Sequence, residues 1–142
     1  MTTYVTAENE VDAIISFLKC KLGTNCFSTK QFFGARFNTL KDLLFGDLII
    51  EDKKGQPILV DAKRNGWVSE NSINNFAGDY YLFYYSGESF NEIQFVEKHV
   101  VKSYYEKVVN KTMMPISGEH GFCFKKNQLR KIISLEKFME SL

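Results

Sequence analysis

The chain has 142 residues, of which 44% are hydrophobic and 15% aromatic, and its formal net charge is +1. This composition suits one compact domain with a hydrophobic core, and it excludes a disordered chain and a general polyanion-binding tail. The three cysteines show no paired ligand spacing, which argues against a zinc site, and no apolar run is long enough to span a bilayer. Because the first residues also lack the basic start of a signal peptide, we expect a single cytoplasmic domain over residues 1–142 with no membrane partner.

The first half of the chain is predicted to form a helix followed by a β-hairpin. Apolar residues recur at helical spacing over residues 7–22, with Thr6 as the candidate N-cap and a glycine at the end. Residues 26–38 are predicted to be extended but irregular. Two strands are then predicted, over 45–51 and 57–63, joined by the polar, glycine-containing turn DKKGQ.

The second half of the chain alternates further strands and helices. In chain order we predict a short helix over 70–77 capped by Ser69, strands over 79–86 and 93–97, a helix around 100–108, a strand over 121–124, and a helical C-terminal stretch broken at Ser134. This order indicates an α/β domain with a mixed sheet. The chain has no glycine-rich phosphate loop.

The hairpin carries charged residues inside two otherwise apolar strands. With the turn at residues 52–56, Leu48 faces Val60 and Asp47 faces Asp61. Since side chains alternate between the two faces, Asp47, Asp61 and Lys63 share one face of the hairpin. The Cβ atoms of the facing aspartates are then expected about 5 Å apart, which is destabilising unless a proton or a cation lies between them.

A divalent cation resolves this conflict. Mg²⁺ takes carboxylate and carbonyl oxygens together with several waters, usually through one or two protein carboxylates. With Lys63 on the same side, the group has the parts needed to activate a water and to stabilise charge on a phosphodiester.

The pattern GDLII…ILVDAK around Asp47, Asp61 and Lys63 resembles the PD-(D/E)xK nuclease superfamily. The resemblance implies a restriction-endonuclease-like three-layer domain, with a central mixed sheet flanked by helices. It departs from the family pattern in two places: Gly46 stands where the name-giving proline would be, and Asp61 replaces the commoner glutamate.

The resemblance also implies roles for individual residues. Asp47, Asp61 and the carbonyl of Ala62 would bind Mg²⁺ (or Mn²⁺), and Lys63 would lie near the attacking water. Many members add an acid from the first helix, which Glu10 or Glu8 would match. Glu10 is preferred because it lies on one helical stripe with Ile14 and Phe17, so we expect it to face the sheet.

Several polar and basic residues are candidates for contact with nucleic acid. They are Arg64 and Asn65 after the lysine, Ser72 and Asn75 on the polar helix, and Lys125, Lys126 and Arg130 in the densest basic cluster. Each of them also has a plainer interpretation, as a loop residue or part of a solvated surface. Neither histidine lies in a zinc spacing or beside a nucleophile, so Ser/His and Cys/His hydrolysis are disfavoured.

The leading hypothesis is a Mg²⁺-dependent endonuclease, resolvase-like or restriction-like, that hydrolyses duplex or branched DNA. A domain of this size usually offers one active site, so cutting both strands favours a homodimer. The alternatives are a non-catalytic module that binds nucleic acid or protein on the same fold, and a structural protein whose hairpin acids are merely exposed. The sequence specifies neither the DNA structure recognised nor the cellular role.

Overall fold

Helices and strands alternate along the chain in the computed structural model, which describes residues 7–108, 112–113 and 118–142. The helices are α1 (Ala7–Leu22), α2 (Thr29–Phe33), α3 (Thr39–Phe45), α4 (Glu70–Asn75), α5 (Lys98–Lys107) and α6 (Leu135–Ser141). The strands are β1 (Cys26–Ser28), β2 (Leu48–Glu51), β3 (Pro57–Arg64), β4 (Trp67–Ser69), β5 (Tyr80–Tyr84), β6 (Gln94–Glu97), β7 (Thr112–Met113), β8 (His120–Cys123) and β9 (Ile133–Ser134). Thr6, the predicted cap of α1, lies outside the described residues.

The central sheet is mixed, as predicted. Its six strands lie in the order β1-β2-β3-β5-β6-β9, and β3 and β5 are parallel while the other neighbours are antiparallel. A smaller antiparallel sheet has the order β4-β8-β7. The crossover from β3 to β5 passes through β4 and α4, which places α4 beside the charged strand.

Helices cover both faces of the central sheet. On one face, α1 and α6 contribute Ile14, Leu18 and Phe138 to a buried cluster that includes Leu48 and Val60. On the other face, α4 and α5 bury a second cluster, which contains Ile73, Phe76, Tyr81, Phe83 and Val101. Each fully buried side chain of this size stabilises the fold by about 1.5–3 kcal/mol. The chain is therefore an α/β protein in which helices flank a mixed sheet.

The predicted hairpin register is confirmed. Leu48 pairs with Val60, Ile49 with Leu59 and Ile50 with Ile58. Strand β2, however, begins at Leu48 rather than at residue 45, because α3 occupies the preceding residues.

Two other predicted segments are wrong in part. Residues 26–38 are extended only over β1, because the side chains of Ser28 and Asn38 accept hydrogen bonds from the backbone N–H groups of Gln31 and Lys41 and so cap α2 and α3. Near the C-terminus only α6 is helical, and Ser134 caps it instead of breaking a longer helix.

No helix in the described part of the chain combines the length and the apolar character that a membrane span requires. The three cysteines carry free thiols, and burial raises the pKa of the Cys26 thiol to about 12.

Candidate active site

Asp47 lies where β2 separates from β3. Its backbone N–H donates to the carbonyl of Val60 (3.1 Å), and its Oδ2 accepts a hydrogen bond from the N–H of Ala62 (3.0 Å). The pairing of β2 with β3 ends at Val60. At Ala62 the backbone N–H therefore donates to the Asp47 carboxylate instead of to a backbone carbonyl of β2. The N–H and C=O groups of a strand residue point to the same edge, and the carbonyl of Ala62 therefore faces this edge as well.

Asp61 and Lys63 lie two residues apart in β3, so their side chains point to the same face of the sheet. The Nζ atom of Lys63 is 2.9 Å from Oδ2 of Asp61, and only 11% of the Asp61 side chain is exposed. The hydroxyl of Ser72, on α4, donates to the same Oδ2 (3.4 Å) and also lies 3.1 Å from the hydroxyl of Tyr81. The buried carboxylate is thus held on one side by Lys63 and Ser72.

The carboxyl groups of Asp47 and Asp61 lie next to each other. Burial raises the pKa of Asp47 well above its ordinary value of 3.8, and the charge of Asp61 and a hydrogen bond between the two carboxyls raise it further, while Lys63 lowers it. The three hairpin residues therefore converge, as the register predicts. Two carboxylates share one lysine, which leaves an excess of negative charge.

Lys63 remains cationic in this setting. Burial by itself lowers the pKa of its ammonium group, but the carboxylates of Asp61, Asp47 and Asp42 outweigh burial and raise the pKa above the ordinary value. Lys63 is accordingly suited to stabilise negative charge rather than to accept a proton.

Asp42, on α3, is an acid of the site that the sequence analysis did not identify. Burial raises the pKa of its carboxyl, the charge of Asp61 raises it again, and Lys63 lowers it, so this carboxyl lies within electrostatic range of both. The signal in the sequence was the pair of helix boundaries at Asn38 and Gly46, which define a short helix that carries Asp42 just before the strand.

An all-oxygen ligand set fits Mg²⁺ at this point. The carboxylates of Asp47 and Asp61 and the carbonyl of Ala62 are the oxygen ligands that this cation prefers, and Mg²⁺ usually keeps several waters beside one or two carboxylates. Within the described residues, no group of three or more His, Cys, Asp or Glu side chains is placed to hold a metal ion. The fit therefore rests on two carboxylates with the backbone carbonyl.

Glu10 contacts the site through other side chains. Its Oε2 accepts a hydrogen bond from the hydroxyl of Tyr84 (2.8 Å), and its Oε1 lies 3.3 Å from a guanidinium nitrogen of Arg64. Burial raises the pKa of Tyr84, as do the hydrogen bond to Glu10 and the charges of Glu10 and Asp47. Tyr84 is thus within electrostatic range of both Glu10 and Asp47. The side chain of Glu8 lies outside the described residues.

The remaining predicted contact residues take different places. Ser72 is buried against Asp61, and the amide of Asn75 donates to Asn71 of its own helix. Asn65 has a positive φ of 53°, and its side chain accepts the N–H of Ser86, so it shapes the turn after β3.

The basic cluster of Lys125, Lys126 and Arg130 lies outside the cleft that contains Asp47 and Lys63. Lys126 is paired with Glu88 (2.9 Å) and Glu92 (3.1 Å), Arg130 borders a second depression beside α5, and Lys125 is exposed. None of the three lines the cleft that contains Asp47 and Lys63.

Gly46 allows the close approach of the two acids. Its φ is +75°, and a Cβ atom there would lie 2.8 Å from the carbonyl oxygen of Val60 and 3.0 Å from Cβ of Asp61. A side chain at this position would therefore force α3 and Asp47 away from β3.

We expect Gly46→Ala to lower the free energy of unfolding by roughly 2–4 kcal/mol, because backbone strain and overpacking add. Gly23→Ala is the matched control, since Gly23 also has a positive φ (66°) but has no atom within 4 Å of the added Cβ. Urea denaturation of both variants separates the two costs, and equal losses of stability would contradict the close approach.

The acids open into a cleft of about 840 Å³. Its walls come from the start of α1, the segment between β1 and β2, the end of β3 and the start of β4. The lining residues are Val11, Asp12, Ser28, Lys30, Phe37, Asp42, Gly46, Asp47, Ala62, Lys63, Arg64, Asn65, Trp67 and Tyr84.

Comparison with known proteins adds no relative to this description. No family model matches the chain, and neither the curated proteins nor the solved structures contain a significant match.

Proposed function

We propose that the protein is a Mg²⁺-dependent (or Mn²⁺-dependent) endonuclease that hydrolyses DNA phosphodiester bonds, on a restriction-endonuclease-like fold. The observation that carries this proposal is the convergence of Asp47, Asp61 and Lys63 where β2 leaves β3. Such a convergence is the arrangement expected from the resemblance to the PD-(D/E)xK superfamily.

Each residue of the site has a distinct task in this proposal. Asp47, Asp61 and the carbonyl of Ala62 would hold the cation, which when bound would stabilise charge on the phosphate and ease deprotonation of the attacking water. Lys63 fixes Oδ2 of Asp61 and offers a positive charge to the phosphate oxygens. Ser72 donates a hydrogen bond to the Asp61 carboxylate and is itself hydrogen-bonded to Tyr81, so the carboxylate keeps one orientation.

Arg64 and Glu10 would position the substrate. The side chain of Arg64 is 52% exposed beside the cleft, and its ion pair with Glu10 orients the guanidinium group. A guanidinium group binds phosphate oxygens in a bidentate manner, so Arg64 is suited to grip the DNA backbone next to the cut. Glu10 acts here through Arg64 and Tyr84.

The partners in the proposal are DNA and a second copy of the chain. Because the described residues of one chain form one such site, cutting both strands of a duplex would take two copies, and a homodimer provides them. The free thiols suit the reducing cytoplasm, which is the proposed location.

The test is cleavage of DNA by the purified protein. Supercoiled plasmid and branched oligonucleotides are incubated with the protein in Mg²⁺, in Mn²⁺ and in EDTA, and strand breaks are followed on denaturing gels. We expect breaks in either cation, none in EDTA, and recovery when excess Mg²⁺ is restored. The absence of breaks in every DNA form would overturn the proposal, and salt-sensitive binding without breaks would instead indicate a binding module.

A further inference from the structure

The cleft beside the acids has aromatic side chains on two of its walls. Phe37 lies between the 3₁₀ turn at Gly34–Arg36 and α3, and Trp67 is the first residue of β4. Both rings are partly exposed, and neither belongs to the two buried clusters of the fold. The core therefore leaves these two rings available to a ligand in the cleft.

Trp67 is held in place by its surroundings. It follows the turn at Asn65 and Gly66, both of which have positive φ angles, and a Cβ atom on Gly66 would collide with the carbonyl oxygen of Phe124. Its indole packs over Gly121, where an added Cβ would lie 2.9 Å from the ring. A rigid, partly exposed indole loses little conformational freedom when a flat ligand stacks on it.

Acids outnumber bases at the cleft. Lys30, Lys63 and Arg64 line it together with Asp12, Asp42 and Asp47, and two further acids pair with those bases, Asp61 with Lys63 and Glu10 with Arg64. A divalent cation at Asp47 and Asp61 would offset this excess of negative charge, so a ligand with phosphate groups would bind more tightly when a divalent cation is present.

The size of the cleft limits what can enter it. Its volume of about 840 Å³ lies within the range of roughly 300–1,000 Å³ that is typical of small-ligand pockets, which suits one or two nucleotides rather than a duplex. In a duplex each base is stacked between its neighbours, whereas an unpaired base presents its face to aromatic side chains.

We propose that the cleft takes unpaired nucleotides of DNA, whose bases stack on Phe37 and Trp67 beside the phosphate at Asp47 and Lys63. The preferred substrate is accordingly DNA with a single-stranded part at the cut: a single strand, a flap or an open branch. This inference rests on the proposed nuclease function and narrows its substrate.

Binding is measured apart from cleavage, with Ca²⁺ in place of Mg²⁺. Trp67 is the single tryptophan of the chain, so its fluorescence reports directly on the cleft. Oligo(dT) of about 12 nucleotides is titrated against the protein, and the same strand annealed to oligo(dA) serves as the duplex. We expect the single strand to quench the fluorescence and to bind at least tenfold more tightly than the duplex.

Phe37→Ala tests the stacking. Removing one stacking ring is expected to weaken oligo(dT) binding by roughly 5- to 150-fold, with little change in duplex binding. Phe32→Ala is the matched control: Phe32 is 61% exposed in the same segment but does not line the cleft, so its binding should stay within twofold of the wild type. Binding of the variants is followed by polarisation of a labelled oligonucleotide, and thermal unfolding checks that they are folded.

The outcomes separate this inference from the nuclease proposal. Cleavage of duplex and single-stranded DNA at equal rates, with Phe37→Ala unaffected, would overturn the inference and leave the nuclease proposal standing. Tight oligo(dT) binding that depends on Phe37, without any cleavage, would support the cleft as a single-strand site and overturn the nuclease proposal. Equal losses of binding in Phe32→Ala and Phe37→Ala would also overturn the inference.

Discussion

Replacing Asp61 with asparagine is expected to lower the rate of Mg²⁺-dependent DNA cleavage by about 10³-fold. The carboxylate is buried, pairs with Lys63 at 2.9 Å and lies against Asp47, so it is central to the proposed cation site. An amide of the same shape can keep the contact with Ser72 but brings no charge to the cation. Cleavage rates are measured under single-turnover conditions, so that chemistry is separated from product release.

Glu106→Gln is the control for this change. Glu106 is an exposed residue of α5 and does not line the cleft, so the variant removes one carboxylate and should cleave like the wild type. Thermal unfolding of Asp61→Asn in EDTA shows whether the variant is folded. Undiminished cleavage by the folded variant would rule out Asp61 as a member of the active site.

Replacing Asp47 with asparagine should raise the stability of the protein in EDTA. The amide oxygen can still accept the hydrogen bond from the N–H of Ala62, while the cost of burying a charged carboxylate and the repulsion from Asp61 both disappear. The expected gain is on the order of 1 kcal/mol, which raises Tm by about 4 °C at this chain length.

The gain should depend on pH in a defined direction. The pKa of Asp47 is raised in the folded state, so the neutral form of this carboxyl stabilises the wild type. That stabilisation is fully present below the ordinary pKa of 3.8 and is lost as the pH rises through the raised pKa. The Tm advantage of Asp47→Asn in EDTA should therefore be largest at pH 8 and should shrink as pH falls toward 5. An advantage that grows on acidification, or a loss of stability at pH 8, would contradict the crowding of the two acids.

The charged hairpin could be predicted from sequence because its pattern is local. The alternation of Leu48 and Ile50 against Ile58 and Val60, across a short polar turn, leaves one register that buries the apolar residues together. That register fixes which side chains share a face, and it brings Asp47, Asp61 and Lys63 together in the structure.

The part of the site outside the hairpin depends on contacts that the local pattern does not contain. Helix α3 has seven residues, too few for apolar periodicity to show, so the sequence pattern does not indicate that Asp42 is a neighbour of Asp61. The polar residues of α4 are, from sequence, either a candidate contact with DNA or part of a solvated surface. Ser72 instead points inward, because the parallel pairing of β3 with β5 places Tyr81 and α4 against Asp61.

The position of Glu10 also follows from packing rather than from spacing. The helical stripe correctly predicts that one side of α1 packs on the sheet, where Ile14 and Leu18 are buried. Which groups Glu10 reaches is set by Tyr84 on β5 and by Arg64 at the end of β3, and both lie more than fifty residues away in the chain.

The most direct test of the central claim is the free energy of unfolding of the wild type as the Mg²⁺ concentration is raised, with Asp61→Asn measured beside it. A cation that binds only the folded protein should stabilise the wild type by about 2.7 kcal/mol at one hundred times its Kd and leave Asp61→Asn unchanged. If Mg²⁺ does not stabilise the wild type, or stabilises both proteins equally, Asp47 and Asp61 do not form a cation site.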